Sequence, residues 1–253
     1  MPIFEATKKK VELTERQISD LETGTAAFLE SGQCTWESST DPDSGSLAFV
    51  ARCPEQLPLN LTLMLGEVIN NLRSVLDHAA EELIGIDTKT EDIRMTFPTA
   101  AKQAEYVARC RDIKTRRDDT KAFFMNLAAY PDGAGKVLYA LDQLDATGKH
   151  TVLTPVFGVA KIGPVKILNP DGTLSSTAAS MECSMDMDRR TRLMNLSADT
   201  PVEIDKNAKP TFDVFFGDVG EFKFQRIAPT LRILLTTVKD TVRRIERFVS
   251  TRF

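Results

Sequence analysis

The sequence predicts an α+β fold: a helical bundle carrying an N-terminal β-hairpin, with an antiparallel β-rich segment inserted before the C-terminal helix. Three observations predict it. Residues 59–84 place Leu65, Val68, Ile69, Leu72, Val75, Leu76, Ala79 and Leu83 on one wide stripe. Residues 229–253 repeat that pattern through Leu231, Ile233, Leu234, Leu235, Val238, Val242, Ile245 and Val249. Between them, residues 150–220 are rich in short Val- and Ile-containing runs punctuated by turn signals such as Asn169-Pro170-Asp171-Gly172.

The elements follow in order. Ile18, Leu21, Ala26, Phe28 and Leu29 predict an amphipathic helix over 14–29, broken at Ser31-Gly32. Residues 34–38 and 47–51 read as strands around the turn at 41–45, and Pro54 and Pro58 end that hairpin. The long helix over 59–84 has Gly85 as its natural stop. After Phe97-Pro98 come weaker helical stretches at 102–111 and 118–129, a break at Pro131-Asp132-Gly133, and a further helix over 136–144. Strands are then expected within 152–168 and at 174–183, 193–196, 202–204 and 212–216. The chain reads as a single domain, with 1–149 and 221–253 forming the bundle, the hairpin at 33–53, and 150–220 the β-rich insertion.

A net charge of -4 argues against broad, nonspecific coating of nucleic acid and leaves room for a local basic groove. No apolar run is long enough to span a bilayer and the N-terminus lacks a signal-type apolar segment, so a cytoplasmic setting is expected. Four cysteines do not make a disulfide framework in a chain of this length. Cys34 and Cys53 flank the hairpin turn and would lie near each other, but buried free thiols are expected because cytosolic disulfides are rare. No Cys-x-x-Cys or His-x3-His pairing supports a metal, no phosphate-binding loop supports a nucleotide, and no cofactor is expected.

Only two histidines occur, His78 and His150, and a general acid–base site is sought at them first. On the long helix, Glu67, Asn70, Asn71, Ser74, Asp77, His78 and Glu81 share the face opposite the apolar stripe, with Arg73 at its edge. One reading is a solvated face with an ordinary Arg73–Asp77 pair. Lys149 and His150 fall where a helix gives way to the β-rich segment, as helix-end cations or as an addition to the site around His78. The C-terminal helix carries Arg243, Arg244 and Arg247, expected to be the leading phosphate-contacting surface.

The run Arg73-Ser74-Val75-Leu76-Asp77-His78 resembles the Arg-x4-His motif of the HEPN superfamily. That resemblance implies a metal-independent ribonuclease acting as a homodimer on RNA, of the kind found in bacterial toxin and antiviral systems. It makes His78 the general acid–base and Arg73 the phosphate-holding group, with Asn70, Asn71 and Asp77 in support. Ser74 departs from the Asn, Asp or His common after that arginine. The stretch Asn71-Leu72-Arg73-Ser74-Val75-Leu76-Asp77-His78 is also similar to an uncharacterised bacterial family. In that family the motif precedes a Phe-Pro and a Leu-rich helix ending in Asp-Lys-His-Arg; Phe97-Pro98 matches here, while Gly148-Lys149-His150-Thr151 lacks the acid and the second basic residue. The alternative expectation is a non-catalytic binding or structural module in which residues 70–78 form a buried polar network. Burial separates the two: a packed, fully bonded network against an open cleft holding Arg73 and His78.

Overall fold

Six helices and nine short strands follow one another among the described residues of the computed structural model. The structure describes residues 4–40, 47–54, 56–90, 93–115, 117–150, 155–161, 165–168, 174–177, 183–184, 191–196, 202–204 and 211–252. The fold class is α+β, with helices dominant and every strand pairing antiparallel.

Helix α1 (Glu5–Glu30) starts nine residues earlier than the apolar pattern suggests. Its buried seam is Thr7, Val11, Thr14, Ile18 and Leu21, a repeat of alternating four- and three-residue steps whose first and third members are polar. Thr14 is hidden because its hydroxyl donates to the Lys10 carbonyl at 2.8 Å, and Thr7 donates to Glu82 Oε1 at 2.7 Å. Helix α2 (Leu59–Thr88) runs through Gly85 and ends at Lys89, which takes the left-handed conformation (φ 53°). Gly85 serves the ending from within the helix. A Cβ there would meet the Thr90 carbonyl oxygen at 3.3 Å, and Thr90 N–H donates to the Gly85 carbonyl.

Helices α3 (Gln103–Arg111) and α4 (Asp118–Leu127) are short. Helix α5 (Lys136–His150) extends six residues past the expected end, and α6 (Ile227–Arg252) carries Pro229 in its first turn, where a missing N–H costs nothing. Helix α2 packs on α1, α5 and α6, so it is the centre of a four-helix bundle. Helix α1 runs antiparallel to α2, since Gln17 meets Asn71 and Lys10 meets Ser74. It also runs antiparallel to α6, through the ion pairs Glu22–Arg232, Glu15–Lys239 and Lys8–Glu246. These pairs recur every seven residues on both helices, the register of two helices packed nearly in line.

Strands β1 (Thr35–Thr40) and β2 (Leu47–Arg52) form the hairpin, and the turn expected at 41–45 lies outside the described residues. The insertion supplies β3 (Val156–Lys161), β4 (Val165–Leu168), β5 (Leu174–Thr177), β6 (Cys183–Ser184), β7 (Thr191–Leu196), β8 (Val202–Ile204) and β9 (Thr211–Phe215). They make three sheets, ordered β1-β2-β7, β6-β3-β9 and β5-β4-β8. The hairpin therefore shares a sheet with the insertion. The expected strand over 174–183 divides between two sheets, because its ends pair with different partners, β4 and β3. The turn expected at 169–172 lies outside the described residues.

Hairpin pairing sets Thr35 opposite Arg52, so Cys34 and Cys53 become the next cross-strand pair, with Cα atoms 4.2 Å apart. They are joined by a disulfide, which corrects the expectation of free thiols: strand register overrode the compartment-based prior. Cys110 is buried and free.

Candidate functional site

The motif on α2 divides into two seams, because residues three and seven apart return to one face of a helix. Asn70, Arg73 and Asp77 look toward α5, whereas Asn71, Ser74 and His78 look toward α1.

Arg73 is only 3% exposed, and all three of its guanidinium nitrogens are bonded. Nε donates to Asp142 Oδ1 at 2.7 Å, Nη1 to Asp77 Oδ1 at 2.5 Å, and Nη2 to the Phe97 carbonyl at 2.9 Å. The guanidinium also lies 6.0 Å from the Phe97 ring centroid. The Arg73–Asp77 pair expected from spacing is thus present, with Arg73 covered by α5 and by residues 97–100 and Asp77 half-buried.

That covering segment explains the chemistry of the seam. Phe97, Pro98, Thr99 and Ala100 are buried in an extended, non-helical stretch, whose backbone groups need partners that no ladder supplies. Side chains supply several of them, and the Ala129 carbonyl accepts from Ala100 N–H. Asp77 Oδ1 accepts from Phe97 N–H at 2.7 Å, and Glu81 Oε1 accepts from Met95 N–H at 3.1 Å. Arg109 donates to the Thr99 carbonyl at 2.7 Å, while Thr99 Oγ1 donates to Asp142 Oδ2 at 2.9 Å. The motif on α2 and the Phe-Pro that follows it are therefore two halves of one contact. Asn70 completes the seam by donating to Asp145 Oδ1 at 3.0 Å.

His78 sits differently. Its side chain is 45% exposed, with Nδ1 3.3 Å from Glu81 Oε2 and Nε2 3.4 Å from Lys10 Nζ. Lys10 also donates to Ser74 Oγ at 2.6 Å, and Asn71 donates to Gln17 Oε1 at 2.9 Å. Arg73 and His78 do not converge: one is held against α5, the other opens beside α1.

Helix α5 runs antiparallel to α2, as Asp142 meets Arg73 and Asp145 meets Asn70. His150 consequently lies toward the start of α2, about 13 residues of helical rise from His78, or roughly 20 Å along the bundle. The side chains of Lys149 and His150 lie outside the described residues. Arg243, Arg244 and Arg247 are exposed on α6, where Arg243 pairs with Asp240 at 3.0 Å, and none of the three bonds to α2. Sequence reasoning missed Lys10 and Asp142. Lys10 precedes the helix start that the apolar residues alone mark, and Asp142 is recognisable only once α5 is placed against α2.

Among the described residues no group of three or more His, Cys, Asp or Glu is arranged to hold a metal, and no helix is long and apolar enough to cross a membrane. An apolar cavity of about 220 Å³ lies between α1, α6 and β9, away from both seams, and its two acids, Glu22 and Asp213, are committed to Arg232 and Arg226. Burial pushes the Cys110 thiol up to about 11, with a smaller opposing effect of its bond to Tyr106, so this cysteine is not an activated nucleophile. No protein-family model, no curated protein and no solved structure matches the chain.

Proposed function

We propose that this chain is a non-catalytic binding module, and that buried Arg73, with the half-buried Asp77 and the exposed Asn70, forms a polar network fixing α2, α5 and residues 95–100 in register. One observation carries the reading: Arg73 is buried with each nitrogen already bonded to a protein acceptor. A guanidinium that stabilises a phosphoryl transition state needs donors aimed at the substrate. Here a phosphate would have to displace Asp77, Asp142 and the Phe97 carbonyl from a guanidinium that is itself buried.

A second reading is supported by the other half of the motif. His78 is exposed beside a cation, Lys10, which suits a HEPN-like, metal-independent ribonuclease acting on RNA as a cytoplasmic homodimer in bacterial defence or as a toxin. Incubating a mixed RNA pool with the chain in EDTA, beside His78→Ala and Arg73→Ala, separates the two. The binding-module reading expects intact RNA and a marked loss of stability in Arg73→Ala alone. Cleavage by the wild type that folded His78→Ala loses would establish the ribonuclease instead.

A further inference from the structure

We infer that Lys10, Ser74 and His78 form an oxyanion-binding site on the seam between α1 and α2, taking a phosphate or sulfate group. The inference deepens the binding-module reading and rests on it for its role, though its geometry does not use Arg73. Three polar groups from two helices converge here: Lys10 Nζ lies 2.6 Å from Ser74 Oγ and 3.4 Å from His78 Nε2. No described carboxylate pairs with Lys10, whereas its neighbours Lys8 and Lys9 pair with Glu246 and Glu5.

The acids near His78 are otherwise engaged. On its own helix, Glu81 faces His78 Nδ1 and the Met95 N–H, Asp77 is held by Arg73 and the Phe97 N–H, and Glu82 accepts from Thr7 of α1. None of these carboxylates pairs with Lys10, whose ammonium meets only Ser74 and His78 among the described residues. An ammonium has three donors, of which two are spent on Ser74 and His78, and the Ser74 hydroxyl hydrogen has no acceptor among the described residues.

An anion seated between the two helices takes the third ammonium hydrogen of Lys10 and the Ser74 hydroxyl hydrogen, and a small anion beside His78 is read in the signals of that ring.

Sulfate is such a probe, and a chain with two histidines gives two ring Cε1–H resonances in an NMR spectrum, which His78→Gln assigns. Sulfate should move the His78 signal saturably, against chloride at equal ionic strength. The affinity should fall about tenfold in Lys10→Gln. Ser74→Ala should weaken binding less, and it guards against a Lys10 variant that fails to fold. Adenosine 5′-monophosphate in place of sulfate tells the sources apart. Equal affinity assigns the site to the anion alone, tighter binding to the phosphate of a larger ligand, and both support it. A His78 signal that does not respond, or a folded Lys10→Gln chain that binds sulfate like the wild type, overturns the site. Such a failure leaves the Arg73 network untouched. Cleavage of RNA by a chain that binds sulfate supports the site and overturns the non-catalytic reading.

Discussion

Arg73 and His78 stand five residues apart on one helix and live in different environments, which is the central fact about this chain. A regular helix turns about 500° over five residues, so the two side chains leave the axis about 140° apart. One meets α5 and a buried extended segment; the other meets α1 and solvent. Removing the guanidinium would take a shared donor from two half-buried carboxylates, Asp77 and Asp142, and from the carbonyl of buried Phe97. Arg73→Ala is therefore expected to cost about 3–5 kcal/mol, and Arg73→Lys to rescue little, because one ammonium cannot replace a planar fork bonded to three acceptors. Burial also acts on the Cys110 thiol, raised from 9.0 to about 11, and raises the Tyr106 phenol, chiefly by burial and then through Cys110. Both groups are neutral in the folded chain. The stability they contribute is complete below the unfolded pKa and declines as pH rises through the window from about 9 to about 11 for Cys110. Unfolding curves across that range should show the decline, and Cys110→Ala should reduce it.

At the scale of elements, the apolar period made α2 and α6 legible, because a stripe of Leu, Ile and Val needs no partner to be recognised. Helix α1 was half legible: Thr7 and Thr14 occupy core positions, and a count of apolar residues passes over them. Arg73's burial was not legible, since the groups that cover it come from residues 97–100 and from α5, far along the chain. The hairpin was legible and the disulfide was misread, although the turn placed Cys34 and Cys53 opposite each other. In the unfolded, unreduced chain Cys34 and Cys53 should accordingly resist thiol labelling while Cys110 reacts, and reduction should destabilise the fold by about 2–3 kcal/mol.

At the scale of the whole molecule, the bundle has two unlike ends. Helices α3 and α4 close the end where α2 finishes, with Phe123 stacked on Phe248 at 4.7 Å. The strands gather where α1 ends and α6 begins, with Phe28 against Phe157 at 5.7 Å. His78 belongs to the first end and His150 to the second, so the two histidines cannot serve one site within a single chain. The three α1–α6 ion pairs set the register between those ends more than they set stability, as partly exposed pairs contribute about 0–1 kcal/mol each. Reversing one pair, with Glu15→Lys and Lys239→Glu together, should recover most of what either change loses alone.

The most direct test of the account is urea unfolding of Arg73→Ala and His78→Ala beside the wild type. Arg73→Ala should lose about 3 kcal/mol or more and His78→Ala less than about 1, because only the first opens a buried, bonded network. Equal stability of Arg73→Ala and wild type would contradict a structural role for the guanidinium and return Arg73 to the candidates for catalysis.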